Sequence, residues 1–393
     1  MRLAIITPDG LSTVLYARSF ASVLARRAAD QLITISSIDG YDKEIGSLGS
    51  QHHSLQMARF IDPGRDLAYM AELYRLLRTI RPDAVLTYTH KPNIYGTLVA
   101  WLAGVPVRIA AVRGLGSIFQ RRASRKRALI YQIMLFLYRL AGRAATGIWF
   151  TNPNDKAWFI ELGIAKEGRT LQTSNAITLS EYSPDVVPSE KIKALRNELG
   201  LTEADVVVLM VGRLIQAKGV IQFMDSATAV RKTFPRAKFL LVAPPEEGAV
   251  DEVSVVEVKE REQQGDFQWL GFRRDLRDLY AVIDLAVLPS WYQEGGYPRA
   301  LLEPMAFAKP VIAADTESCR NPVEPGINGF LVPPGDTQSL ADAICRLVAS
   351  PDLRKKMGQR SREKILEEFD DLTVATTIAD YIANAHNKLS DVC

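Results

Sequence analysis

The 393-residue chain predicts an α/β protein made of two doubly wound parallel-sheet units. Three observations lead there. Short β-branched runs alternate with amphipathic helical stretches along the whole length, the pattern of parallel strands covered by helices. The alternation restarts near residue 204, after a polar stretch containing Pro and Ser. The length suits two domains of about 100–200 residues each.

In the first half "LAIIT", "LITIS", "AVLTY", "VRIAAV" and "GIWFT" read as strands. Between them lie amphipathic stretches such as "LYARSFASVLARRAA" and "DLAYMAELYRLLRTI". In the second half the strands are "DVVVLMVG", "KFLLVA", "FQWLG", "DLAVLP", "PVIAAD" and "GFLVPP". "SEYSPDVVPSEKIKALRNELG" reads as a linker followed by a helix, which sets a first domain at 1–184 and a second at 185–368. The closing "DDLTVATTIADYIANAHNKL" is a helix beyond the last strand, and the segment 369–393 is free to pack across either unit or back across the cleft. Doubly wound sheets bind ligands outside the carboxyl ends of their strands, where strand order reverses. Two such units facing one another predict a cleft for two substrates.

Composition and charge narrow the partners. At 47% hydrophobic and 24% charged, the chain is an ordinary globular protein rather than a disordered one. Cys319, Cys345 and Cys393 show neither zinc spacing nor a disulfide framework, which fits a reducing compartment. The start "MRLAIITPDG" lacks a signal-peptide pattern, and no run reaches the ~18 apolar residues of a membrane span. The expected location is therefore the cytoplasm or the cytoplasmic face of the inner membrane. Residues 1–185 carry 23 Lys+Arg against 14 Asp+Glu, or +9. Residues 186–393 carry 25 against 31, or −6, and the two sum to the net +3. Within 101–150 there are nine basic groups and no acidic one, so the first half is expected to face an anionic partner.

The chemistry begins after "DVVVLMV". Gly212 permits a tight exit from the strand, and Arg213 and Lys218 sit beside the next helix start. Free N–H groups and the helix dipole favour an anion there. An arginine fork and a mobile lysine suit phosphate oxygens. A basic pair near a strand end is also a common surface feature, so the pair points to phosphate only in company with a second ligand-binding stretch. No GxGxxG and no GxxxxGK[ST] occurs, which argues against a dinucleotide oxidoreductase and a nucleotide hydrolase.

That second stretch is "WYQEGGYPRALLEPMAFAKPV", a loop after a buried strand running into a helix. Gly295 and Gly296 free the backbone, so N–H groups around Pro298, Arg299, Ala300 and Leu301 can face a phosphate or sugar oxygen. A carboxylate is a double acceptor suited to vicinal hydroxyls. Glu294 and Glu303 can then hold the two ends of a sugar nucleotide, with its diphosphate between them on Arg213 and Lys218. A capped helix with acidic early turns is the plain alternative.

"GRLIQAKG", "EGGYPRALLEPMA" and "NPVEPGINGFLVPPGD" together resemble the donor domain of glycosyltransferase family 4, retaining enzymes of the GT-B fold. The resemblance spans most of 204–336. It implies a GT-B fold with two Rossmann-like domains around a central cleft. It also implies that Arg213 and Lys218 hold the donor diphosphate, Glu303 the ribose and Glu294 the transferred sugar, with Glu294, Arg213 and Lys218 the catalytic set. Leu270–Phe272, Phe272 included, occupy the place where such enzymes hold the base. One departure stands out: the family has seven residues between its two glutamates, and this chain has eight, the extra one being Gly295 or Gly296.

"KPNIYG" (91–96) and "VRGLGSIF" (112–119) resemble the subgroup that extends polyprenyl-diphosphate-linked saccharides, although Arg113 stands where that subgroup has Thr. The implied acceptor contacts are Asp9, Gly10, His90, Lys91, Asn93 and Arg113, with Lys91 and Arg113 toward the acceptor diphosphate. His90 ends the strand "AVLTYTH"; it touches the sugar, acts as a base, or is structural.

"QRRASRKR" places Arg121, Arg122, Arg125, Lys126 and Arg127 before the apolar, aromatic-rich "ALIYQIMLFLYRLA". A basic cluster beside such a helix suits an anionic membrane surface, at about 1 kcal/mol per basic group. A sheet-covering helix with a solvated basic flank is the alternative for the helix itself. No nucleic-acid motif or aromatic–basic stacking surface competes.

No DxD occurs and the four histidines form no ligand set, so no metal and no cofactor is expected. The leading expectation is a retaining, metal-independent transferase moving a hexose or N-acetylhexosamine from a UDP-sugar to a lipid-linked saccharide. In it, Lys218→Ala or Glu303→Ala abolishes transfer and leaves the fold intact. A GT-B-fold UDP-sugar 2-epimerase and a non-catalytic, membrane-docked sugar-nucleotide binder are the alternatives; product formed without lipid marks the first, and UDP binding without turnover the second.

Overall fold

A computed structural model describes residues 1–27, 30–58, 62–114, 125–246, 248–292 and 296–390. It divides into two compact units, 1–175 with 371–393, and 176–370.

The first unit is built on β1 (Arg2–Ile6), β2 (Gln31–Ser36), β3 (Gln51–Ser54), β4 (Ala84–Tyr88), β5 (Val107–Val112), β6 (Gly147–Phe150) and β7 (Thr170–Gln172). All are parallel, in the order β3-β2-β1-β4-β5-β6-β7. The chain winds outward from β1 to β3 and then lays β4 on the other side of β1. Strand order therefore reverses between β1 and β4. Residues 3–6 of β1 are fully buried, as a central strand covered on both faces must be. One face carries the helices Gly10–Ala25 and Asp371–Ser390, sharing a core with Leu3, Ile5, Leu86 and Tyr88. The other carries Pro63–Ile80 and Thr97–Leu102 over Ala4, Ile6 and Ile33.

The second unit has β8 (Val206–Val211), β9 (Ala237–Val242), β10 (Gln268–Trp269), β11 (Leu285–Leu288), β12 (Val311–Ala314) and β13 (Gly329–Val332). These are also parallel, in the order β10-β9-β8-β11-β12-β13, and the reversal lies between β8 and β11. Helices Val220–Thr233 and Thr337–Ala349 cover one face through Phe223, Met224, Leu340 and Ile344. Ser189–Glu198, Leu276–Val282 and Arg299–Ala306 cover the other through Leu195, Leu279, Leu301 and Met305.

Packing decides two points of the organisation. The break falls at 175/176 rather than 184/185, because Ile177 and Phe369 are both buried in the core of the second unit. The Ile177 N–H donates to the Phe369 carbonyl at 2.8 Å, tying together the two chain segments at that point. The closing helix belongs to the first unit: Ala375, Ile378, Ala379 and Ile382, at i, i+3, i+4 and i+7, are buried in its core. The sequence also shows no sign of β3 ("QHHS") or β7 ("TLQ"), the two edge strands. Short polar edges resist pairing with other chains and carry no apolar run to read.

Candidate active site

In the second unit the reversal brings the loop after β8 beside the loop after β11. From Gly212 and Arg213 the chain turns through the buried Leu214 and Ile215 into a 3₁₀ turn, Gln216–Lys218. Gly219, at φ +80°, then starts the helix Val220–Thr233. A Cβ at Gly219 would lie 2.4 Å from the Pro289 carbonyl oxygen, so both conformation and space demand glycine. The backbone N–H groups of Trp291 and Tyr292 both donate to the Ala217 carbonyl, at 3.0 and 2.9 Å. The two loops are thereby stitched together by main chain.

Arg213 and Lys218 converge on one side chain. The Arg213 Cζ lies 4.8 Å, and the Lys218 Nζ 4.9 Å, from the centroid of the Tyr292 ring. Arg213 Nη1 is also 3.3 Å from Glu246 Oε1. Burial works against the Arg213 charge, but Tyr292 and Glu246 outweigh it and its pKa is raised. Two cations thus stand beside a helix N-terminus, a combination that attracts a polyanion. Tyr292 and Glu246 were not singled out from the sequence. Each belongs to a different βα loop from the cations it touches, and only the sheet brings those loops together.

Glu303 lies on the helix Arg299–Ala306, which Pro298 precedes at φ −65°. Its carboxylate is almost wholly buried. Tyr280 Oη donates to Oε2 at 2.9 Å, and Arg299 Nε donates to Oε1 at 2.7 Å. The Arg299 guanidinium also lies 5.7 Å from the Tyr182 ring centroid. Burial pulls the Arg299 pKa down, and the Glu303 charge followed by Tyr182 more than restores it. Burial first, then Glu303, drives the Tyr280 hydroxyl well above the ordinary phenol range, so it stays a donor. A carboxylate offers about four lone-pair sites. Two are used to orient it, which leaves acceptor capacity for hydroxyl groups.

The other expected donor contacts are mixed. Gly296 adopts φ +120°, which only glycine takes readily, and Tyr297 Oη beside it accepts from Asn321 Nδ2 at 2.6 Å. Phe272 is exposed beyond β10, and Ala300 packs partly against the core. The side chain of Leu301 is fully buried, and its N–H donates to the Pro298 carbonyl at 3.0 Å. Glu294 and Gly295 lie outside the described residues.

In the first unit the reversal between β1 and β4 sets the loop of Asp9 and Gly10 near that of His90 and Lys91. Asp9 caps the helix Gly10–Ala25, accepting from the Ser12 N–H at 2.7 Å. Gly10 is required by packing, since a Cβ there would lie 2.1 Å from the Ile38 carbonyl oxygen. Thr89 takes φ +72°, a strained value for a β-branched residue and of the kind that gathers at functional sites. The half-buried His90 next to it places Nδ1 2.7 Å from Tyr138 Oη. Lys91 Nζ is 2.6 Å from the buried Asp66 and 2.8 Å from the Ala58 carbonyl, so its ammonium serves an internal ion pair. Asn93 is a correction: it is buried, accepting from Thr87 and donating to the Ala111 carbonyl, each at 2.8 Å. Arg113 lies 4.7 Å from the Tyr16 ring centroid and donates to Asn175 at 3.1 Å.

Arg121 and Arg122 lie outside the described residues. Arg125, Lys126 and Arg127 open the helix Arg125–Ala144. That helix buries Met134, Leu135, Tyr138 and Ala141, and also leaves Leu129, Ile133 and Phe136 exposed at i, i+4 and i+7. The neighbouring helix Thr97–Leu102 exposes Trp101 and Leu102. The helix therefore covers the sheet and also shows an apolar stripe, where the sequence set these two as alternatives. Among the described residues no helix is long and apolar enough to cross a membrane.

Known proteins are similar to this chain in sequence and in fold. Residues 13–176 match the family model of the glycosyl transferase 4-like domain, and residues 191–364 that of the glycosyl transferases group 1. An N,N'-diacetylbacillosaminyl-diphospho-undecaprenol alpha-1,3-N-acetylgalactosaminyltransferase from Campylobacter jejuni is 27% identical over 376 residues, covering 95% of this chain and 96% of the relative. A UDP-Gal:alpha-D-GlcNAc-diphosphoundecaprenol alpha-1,3-galactosyltransferase from Escherichia coli is 26% identical over 335 residues, covering 84% and 83%. The crystal structure of HepE from Anabaena in complex with UDP shares the fold, with a TM-score of 0.77 at 21% identity over 98% of this chain and 100% of that one. With a 4-like domain in its first half and a group 1 domain in its second, the chain belongs to family 4 of the glycosyltransferases and has the GT-B type of fold.

Proposed function

We propose that this glycosyltransferase moves a hexose or N-acetylhexosamine from a UDP-sugar to a polyprenyl-diphosphate-linked saccharide, with retention of configuration and without a metal. The observation that carries this is the meeting of Arg213 and Lys218 at the β8/β11 reversal, with the oriented carboxylate of Glu303 on the helix after β11. The acceptor class is supported by the Campylobacter and Escherichia relatives, both named for transfer to a sugar on diphospho-undecaprenol. Glu303 takes the ribose hydroxyls, Arg213 and Lys218 the diphosphate, and Glu294 the transferred sugar. The sugar–diphosphate bond breaks as the acceptor oxygen bonds the same face of the anomeric carbon. The acceptor proton passes to the leaving diphosphate oxygen. The two cations and the helix N–H groups stabilise charge where it develops on the leaving group, and such preorganised electrostatics dominate catalysis in many enzymes.

Incubation with a panel of UDP-hexoses and UDP-N-acetylhexosamines and a polyprenyl-diphosphate-linked saccharide tests the proposal. UDP release with a mass-shifted lipid product is expected, and no release with any donor would overturn it. Turnover is expected to be unchanged when EDTA is added; a loss reversed by a divalent cation would assign the diphosphate charge to a metal instead.

The proposed setting is the cytoplasmic membrane face, with the basic start of helix Arg125–Ala144 and its exposed Leu129, Ile133 and Phe136 stripe as the support for contact with lipid. Replacing Arg125, Lys126 and Arg127 together by Ser removes about 3 kcal/mol of attraction to an anionic surface, or roughly 100-fold in affinity. Vesicle co-sedimentation with and without anionic lipid measures this; equal binding of both proteins would rule the helix out.

A further inference from the structure

We propose that Tyr292 is a positioning residue for the donor diphosphate: its ring gathers Arg213 and Lys218 into one site before the donor arrives. This rests on the sugar-nucleotide role proposed for the β8/β11 reversal. Arg213 and Lys218 are long, like-charged side chains on one loop, and left alone they repel. Something must hold both beside the helix N-terminus. The ring does so: both cations lie less than 5 Å from one centroid, within the range at which the negative face of an aromatic ring attracts a cation.

The ring itself is fixed by backbone. The Trp291 and Tyr292 N–H groups and the Ser290 hydroxyl all donate to the carbonyl of Ala217, the residue before Lys218. Gly219 closes against Pro289 with no room for a side chain. Tyr292 therefore cannot shift relative to the 3₁₀ turn that carries Lys218 without breaking these contacts.

The choice of ring over carboxylate has a physical reason. Glu246 already lies against Arg213. A neutral ring draws two cations together without adding a negative charge of its own.

The test is calorimetric binding of UDP and of uridine to the full chain carrying Tyr292→Leu or Tyr292→Phe. Uridine probes the Glu303 end and UDP adds the diphosphate. Tyr292→Leu is expected to weaken UDP about tenfold, as loss of a partly desolvated cation–ring contact would, and to leave uridine binding unchanged. Tyr292→Phe keeps the ring and is expected to stay within about twofold of wild type for both ligands. The inference is overturned if Tyr292→Leu binds UDP as tightly as wild type. It is equally overturned if both ligands weaken in parallel, which marks general damage to the loop, or if Tyr292→Phe falls as far as Tyr292→Leu, which assigns the effect to the hydroxyl. Wild-type protein that fails to bind UDP at all would remove the donor role itself, a result separable from any ratio between variants.

Discussion

Lys218→Ala is expected to lower turnover by about 10²–10³-fold while the melting temperature stays within about 2 °C of wild type. Lys218 stands in the 3₁₀ turn before helix Val220–Thr233, with its ammonium beside the Tyr292 ring. Charge grows on the leaving diphosphate as the glycosidic bond breaks, so a fixed cation there acts more strongly on the transition state than on the bound donor. Removing the side chain leaves the Arg213–Glu246 pair in place. Lys218→Arg should recover only part of the rate, because a planar fork on a different stem cannot reproduce a compact point charge. Steady-state kinetics paired with thermal melting separate these outcomes. A turnover loss below about threefold would remove Lys218 from the transition-state contacts.

Glu303→Ala is expected to abolish detectable transfer and also to destabilise the second unit, by about 3 kcal/mol. The sequence alone predicts an intact fold, and the geometry corrects that. The carboxylate is the shared partner of Tyr280 Oη and Arg299 Nε, and its loss takes the acceptor from a fully buried phenol and the carboxylate from a partly buried guanidinium. Breaking a buried pair by deleting one member is costly because the other charge remains. The figure sits at the low end for such pairs because 33% of the Arg299 side chain stays accessible. A fall of roughly 6–12 °C in melting temperature corresponds to it. Glu303→Gln keeps an acceptor for Arg299 and the side-chain shape, so it should recover much of the stability without restoring donor affinity. A Glu303→Ala protein that melts like wild type would show that the cage contributes nothing to folding.

How much of the site could be read in the chain depends on how far each residue's partner lies along it. Arg213, Lys218 and Glu303 sit in ordered stretches at strand ends and helix starts, where local chemistry already favours anions or hydroxyls. Tyr292 escapes a sequence reading because one aromatic residue in a loop has no periodicity and its cationic neighbours belong to another loop. Tyr280 looks like an ordinary core residue on its helix, and its hydroxyl gains meaning only from Glu303 above it. Asn93 and Lys91 go the other way. In a motif at a strand end they look like ligand contacts, yet the folded chain spends the first on Thr87 and Ala111 and the second on Asp66.

The fold divides along the same line. Central strands announce themselves because a parallel strand buried on both faces must be apolar throughout, and that demand is local. Amphipathic spacing likewise announces the closing helix Asp371–Ser390. Which sheet that helix covers, where the chain passes from one unit to the next, and which loops meet at a strand-order reversal were settled only by long-range packing. These depend on contacts between residues far apart along the chain, and a one-dimensional pattern of polar and apolar residues carries no record of them.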